Sequence, residues 1–232
     1  MKEAVEQWLP LERDLFFALN GSDSLFLDQA MWTISGRFVW IPLFLFILLL
    51  FFYKKPRKEA FLVTLFFILL LVASDQISSA VFKPIFERLR PTHHPDFKDL
   101  VDIVNDYRGG LYGFISGHAA NSFALATFLA LVYRNRWTTL AAFFWATLNS
   151  YTRIYLGVHF ISDIVGGMVV GTVIALLIYE LYYLLRKRLF RIPDAAPKGV
   201  YDHRRGNLLA IFIALYLIIL VAFSPLLASL PH

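Results

Sequence analysis

Apolar runs long enough to cross a bilayer recur along this chain, and in hydrocarbon such a run must satisfy its own backbone hydrogen bonds, as a helix does. With about 20 residues needed per crossing, five to six spans are expected. They are residues 31–53, 60–82, 114–133, 137–151, 160–185 and 208–230, the fourth being short unless it runs on to about Leu156. A hydrophobic share of 58%, a mean hydropathy of +0.60 and 23 phenylalanines fit the same reading. The fold class is therefore all-α, a polytopic membrane bundle of about six helices.

Residues 1–30 precede the first span. Glu3, Glu6, Glu12 and Asp14 are scattered through the first twenty residues, which excludes the basic start and short apolar core of a secretory signal. They read as an amphipathic helix carrying Trp8, Leu9, Leu11, Leu15, Phe16 and Leu19, lying either on the bilayer interface or across the end of the bundle. Residues 20–23 then break it. Residues 31–232 form one integral-membrane domain, and the stretch from Arg186 to Arg205 is a loop within it.

A net charge of +5 and a pI near 9.4 raise the question of nucleic acid. The basic residues answer it, because they cluster at the ends of apolar runs rather than along a soluble face, so no nucleic-acid partner is expected. Of the 22 lysines and arginines, 13 fall in the connections at 54–58, 134–136 and 186–205, which can all share one side of the membrane. By the positive-inside rule that side is cytoplasmic, and the polar blocks that follow face outward. The chain has no cysteine, so neither disulfides nor thiolate sites enter.

Three polar blocks interrupt the apolar pattern. The first, Lys83-Pro-Ile-Phe-Glu-Arg-Leu-Arg90-Pro91, ends the second span. Lys83 and Arg90 are seven residues apart, nearly two turns, and can point the same way, while Arg88 lies on another face. They serve either to anchor the helix end by snorkelling or to hold an anion. The second block, Phe114-Ile115-Ser116-Gly117-His118-Ala119-Ala120-Asn121, opens the third span: Ser116 is an expected N-cap, Gly117 lets backbone approach a ligand, and free N–H groups there suit an anion. His118 is either interfacial or a proton donor to a leaving group.

The third block runs from Thr152 and Arg153 through His159 to Asp163. With His159 and Asp163 four apart on a helix, the carboxylate holds one ring nitrogen and leaves the other as a nucleophile. Polar groups in an apolar region must be paired or used. Three fixed cations, a helix start and two histidines on one membrane face suit phosphoryl transfer, which needs equatorial oxygens neutralised and a nucleophile set opposite a proton donor. No metal or other cofactor is required, and no cluster at metal-ligand spacing is evident.

The order Lys-x6-Arg-Pro, Ser-Gly-His, Arg-x5-His-x3-Asp resembles the type 2 phosphatidic acid phosphatase (PAP2) superfamily, whose site is similar to that of vanadium haloperoxidases. The resemblance covers about residues 60–185. It implies that Lys83, Arg90 and Arg153 hold phosphoryl oxygens with help from Ser116 and Gly117, that His159 becomes a phosphohistidine oriented by Asp163, and that His118 protonates the leaving oxygen. Ile115 stands where the family usually has proline, and Thr152 where it has serine. The implied function is hydrolysis of a phosphate or pyrophosphate from a cell-envelope lipid at the outer face of the cytoplasmic (inner) membrane. Substrates implied are undecaprenyl diphosphate and lipid A first, then phosphatidylglycerol phosphate and phosphatidic acid. A phosphotransferase using the same phosphohistidine, or a non-catalytic lipid-binding or lipid-moving protein, remain as alternatives.

Other features carry two readings. Asp75 either supports the site or makes polar contacts between helices. Gly167 and Gly171 let a neighbouring helix approach closely, either within the bundle or from a second copy in a homodimer. The polar stretch 92–113 is either a lid or a solvated outer loop; its four aspartates argue against a headgroup with further negative charge.

Overall fold

The computed structural model describes residues 1–193 and 200–229. Lys198 of the expected basic loop and Leu230 of the expected sixth span lie outside the described residues. In chain order the helices are α1 (Lys2–Glu6), α2 (Leu9–Leu19), α3 (Leu25–Ser35), α4 (Ile41–Phe52), α5 (Arg57–Gln76), α6 (Lys83–Phe86), α7 (Gly117–Tyr133), α8 (Arg136–Tyr155), α9 (Ile161–Phe190), α10 (His203–Ala222) and α11 (Ser224–Leu227). A π-helical stretch, Ile77–Phe82, joins α5 to α6, so that Arg57–Phe86 is one continuous rod of 30 residues.

Caps account for several boundaries. Ser24, Ser116, Asn135 and Asp202 each accept from a backbone N–H in the first turn of α3, α7, α8 and α10, satisfying donors that a helix start leaves free. The centre of the bundle is α7, buried on nearly every face between α5, α8 and α9. Its run of alanines lets the neighbours in, and the closest approach is on α9. A Cβ on Gly167 would sit 2.6 Å from the Ser116 carbonyl oxygen, and one on Gly171 would strike the Ala120 carbonyl. The close packing expected of this glycine pair is thus used inside the bundle, against α7.

One span expectation changes and another is left open. The run 31–53 is not a straight helix but two, α3 and α4, bent by 70° at Gly36 and Arg37. And a count of six is not established: among the described residues three helices are long and apolar enough to cross a membrane, Arg57–Phe86, Ile161–Phe190 and His203–Ala222, with the bent pair as a fourth. The physical reason lies in α7 and α8. Enclosed by other helices, α7 needs only 17 residues, and α8 carries Asn149, Ser150, Thr152 and Arg153 toward protein rather than lipid. Aliphatic side chains such as Leu65, Val169, Leu177 and Ile218 cover the outside, as a multi-pass membrane protein requires.

The basic connections gather at one end. Arg186 Nε donates to Glu59 Oε1 at 2.7 Å, Arg205 reaches the Lys54 carbonyl at 3.3 Å, and Asn135 Nδ2 donates to Asn207 Oδ1 at 2.9 Å. At the other end α2 lies across the bundle. Phe16 is wholly buried against Phe97 and Phe160, whereas Trp8, Leu11 and Leu15 stay exposed, so the amphipathic helix packs with one edge and presents apolar side chains with the other.

Candidate active site

His159 sits in the connection between α8 and α9, where the chain reverses through Gly157 at φ 69°. Asp163, in the first turn of α9, accepts from the Phe160 N–H at 3.1 Å and from His159 Nδ1 at 3.3 Å, both on Oδ2. The helix start thus holds the carboxylate, and the carboxylate holds the ring. Asp163 Oδ1 accepts from Arg88 Nη1 at 2.8 Å, and the same nitrogen donates to Ser162 Oγ at 2.5 Å. Arg88 Nη2 donates to Glu12 Oε1 at 2.6 Å, while Glu12 Oε2 accepts from the Ser162 N–H at 2.7 Å. A residue of the N-terminal helix therefore closes the network behind the histidine.

Lys83, Arg90, Gly117, His118, Arg153 and His159 all line one cavity of about 280 Å³, so the three sequence blocks converge as expected. Ser116 is set back. Its hydroxyl caps α7 through the Ala119 N–H and is fully buried, which leaves Gly117 at the cavity wall. Thr152 likewise turns its hydroxyl to the Asn149 carbonyl at 2.6 Å, and Ile115 packs against Gly166 behind the site. Asp75 also lines the cavity.

Among the described residues Lys83, Arg90 and Arg153 have no carboxylate within ion-pairing distance. Arg153 donates to Ser35 Oγ and, at 3.1 Å, to the Tyr107 hydroxyl, and its Nε is buried without a partner. Arg90 Nε donates to the Tyr112 carbonyl at 3.1 Å while Nη1 is left over. Burial, and then Arg153, push Arg90 down to about 10. Burial raises the Tyr107 phenol, but Arg153 and Arg90 outweigh it and hold the group below its ordinary value. Burial first, then Arg90, Arg153 and Lys83, push His159 well below the ordinary imidazole value.

The connection 92–113 is tied over this cavity rather than free. Thr92 and Arg108 exchange two hydrogen bonds, the Arg90 N–H donates to the Leu111 carbonyl, Phe97 is buried beneath α2, and Tyr107 reaches into the site. Its four aspartates are exposed.

Residues 61–187 match the PAP2 superfamily. The chain belongs to that superfamily. Among PAP2 proteins it is similar to a lipid A 4′-phosphatase of Porphyromonas gingivalis, 43% identical over 198 residues that cover 85% of this chain and 84% of that one. A lipid A 4′-phosphatase of Bacteroides thetaiotaomicron is 37% identical over 190 residues, 82% of this chain and 84% of the relative. In fold it is similar to Aquifex aeolicus LpxE, with a TM-score of 0.54 at 24% identity over 73% of this chain and 95% of that one. A Bacillus subtilis transmembrane PAP2 phosphatidylglycerolphosphate phosphatase gives 0.57 at 22% identity over 83% and 90%.

In this PAP2 chain the sequence reading passed over Glu12, Ser35, Tyr107, Asn149 and the inward role of Arg88. The signal for Arg88 was present: an arginine on a different face from Lys83 and Arg90, which line the cavity, had to turn elsewhere, and it turns to Glu12 and Asp163. Nothing local marked Glu12 among the acids of its helix.

Proposed function

We propose that this lipid phosphatase removes the 4′-phosphate of lipid A at the outer face of the cytoplasmic membrane, through a phosphohistidine on His159. The observation that carries the chemistry is a set of three buried or half-buried cations without carboxylate partners, beside a histidine held by Asp163. A phosphoryl group supplies the missing negative charge. The choice of lipid is supported by the two relatives named lipid A 4′-phosphatase, each aligned over at least 82% of this chain. The outward orientation is supported by the gathering of the basic connections at the end opposite the cavity.

Lys83, Arg90 and Arg153 hold the non-bridging oxygens, and the Gly117 N–H adds the positive end of α7. His159 is neutral near pH 7, its Nδ1 proton fixed on Asp163, so the Nε2 lone pair is free. Nε2 attacks phosphorus as the bond to the lipid oxygen breaks. The electron pair leaves with that oxygen, and His118 gives it a proton. A water then passes a proton to His118 while its oxygen attacks phosphorus; the P–N bond breaks, imidazole regains its lone pair and inorganic phosphate departs. The Glu12–Arg88–Asp163 chain keeps the imidazole aimed throughout.

Mass spectrometry of lipid A after incubation with the purified protein in detergent, with EDTA present, tests this reading. Loss of the 4′-phosphate by wild type and none by His159→Ala is the expected result. Retention of activity in His159→Ala would overturn the nucleophile, and a product lacking only the 1-phosphate would overturn the regiochemistry.

A further inference from the structure

Tyr107 belongs to none of the three polar blocks, yet it lines the cavity with Lys83, Arg90, Arg153 and His159. The connection that carries it is tied down on both sides. Upstream, Asn20 Nδ2 donates to the Asp102 carbonyl at 3.1 Å and the Asp102 N–H donates to Asn20 Oδ1 at 2.8 Å, while Val101 packs onto Gly157 in the turn before His159. Downstream, Arg108 and Thr92 hold each other by two hydrogen bonds. Between these ties a tight turn, with Asn105 and Asp106 at φ 52° and 54°, closes with the Tyr107 N–H on the Val104 carbonyl at 3.1 Å. Asparagine and aspartate tolerate the left-handed region, but two in succession cost free energy and persist only where the surroundings hold them. The tyrosine ring stands edge-on to Trp32 at 5.5 Å between centroids. Turn and packing together fix the phenol oxygen 3.1 Å from Arg153 Nη2.

We infer that Tyr107 is a further catalytic residue, one that donates its phenolic hydrogen bond to the non-bridging phosphoryl oxygen held by Arg153. The inference rests on the proposed phosphoryl site and extends it, because the three blocks supply only cations, a helix start and histidines. As a partner for Arg153 alone the phenol is a poor choice: a neutral hydroxyl answers a hydrogen bond and leaves the buried charge standing. As a second contact for the anion that Arg153 binds it is well suited. A phenol oxygen that accepts from a guanidinium cannot send its own proton back to it, and Lys83 and Arg90, which share the cavity, are donors only. Tyr107 is half-buried rather than enclosed, so it has surface to offer a ligand. The phenol keeps its proton throughout. Its hydrogen bond strengthens as negative charge builds on the equatorial oxygens, and because the same hydroxyl accepts from Arg153 the two interactions polarise each other. The tied connection 92–113 is thus the strap that carries one donor into the site.

Orthovanadate, which takes up the five-coordinate geometry of phosphoryl transfer, is the probe. Its Kd is measured by isothermal titration calorimetry for wild type, Tyr107→Phe, Arg153→Met and the double variant in one detergent, beside kcat/KM for phosphate release from lipid A. Phenylalanine keeps the ring against Trp32 and removes only the hydroxyl. The Kd is expected to rise about tenfold in Tyr107→Phe, and about threefold or more when the same change is added to Arg153→Met, with kcat/KM falling about tenfold in Tyr107→Phe. A Tyr107→Phe protein that binds vanadate and turns over lipid A as wild type does overturns the inference and leaves the phosphatase reading standing. A loss seen only while Arg153 is present also overturns it, because the phenol is then a prop for that arginine. Wild type that neither binds vanadate nor releases phosphate from lipid A overturns the site reading and the inference with it. Vanadate binding does not depend on which lipid carries the phosphate, so a wrong substrate and a wrong role for Tyr107 are read apart.

Discussion

Two buried arginines face opposite fates in this molecule. Arg88 is fully enclosed and its charge is answered: two carboxylates and a serine hydroxyl take its terminal nitrogens, while its Nε, like that of Arg153, is buried without a partner. Arg153 is as deeply enclosed, but it has two hydroxyls and no carboxylate, with Arg90 and Lys83 for company around the same cavity. A buried charge costs several kcal/mol to desolvate unless something repays it. For Arg88 the repayment is internal, which makes it scaffold. For Arg153 no carboxylate among the described residues does so, and on the function proposed above the phosphoryl group of the substrate supplies it. Adjacent polar blocks of one sequence thus divide into a part that holds the histidine and a part that waits for substrate.

Breaking the internal pair should do the most harm. Arg88→Met strands Glu12 and Asp163 as buried carboxylates, and stability in denaturant titrations should fall by about 3–5 kcal/mol. Adding Glu12→Gln should recover part of that loss; an Arg88→Met protein as stable as wild type would erase the contrast. Arg153→Met should act the other way. Single-turnover kcat falls about 10²- to 10³-fold, while the thermal midpoint stays level or rises because an uncompensated charge has gone. Inorganic phosphate at about 100 times its Kd should stabilise wild type by about 2.7 kcal/mol, and this gain should vanish in Arg153→Met but survive in Glu12→Gln.

The smallest effect is in pH. Because His159 is held below the ordinary value of 6.5, the folded protein keeps it neutral where the unfolded chain would take up a proton. Its contribution to stability is therefore present above about pH 6.5 and declines as pH falls toward the folded value. The acid limb of phosphoenzyme formation, read by rapid-quench trapping, should lie below 6.5 in wild type and move upward in Arg153→Met, where one depressing charge is lost.

Where a property was local, the sequence disclosed it. The capping role of Ser116 followed from helix chemistry, and the pairing of His159 with Asp163 from their spacing, although His159 stands in the connection before α9 rather than on the helix that the spacing suggests. What stayed hidden was pairing across distance. Glu12 meets Arg88 after 76 intervening steps of chain and Ser162 after 150, and an amphipathic pattern cannot say which acid of a helix turns inward. The count of six stays open for a related reason: hydropathy scores a helix against lipid, yet α7 meets mostly protein. Gly36 was a visible break signal inside residues 31–53, overridden by the length of the apolar run.

That break at Gly36 has a reach beyond shape. A helix cannot satisfy its own last carbonyls, and here those of α3 are put to work: Trp40 Nε1 donates to the Ile34 carbonyl at 3.0 Å, and the Ser35 carbonyl meets the His118 ring. Gly36 and Arg37 line the cavity directly. Open backbone at such depth survives only against protein or water. The bend thus turns backbone polar groups onto the cavity where an unbroken apolar helix would have presented only side chains, and a hydrolytic step needs polar groups of that kind to seat its water.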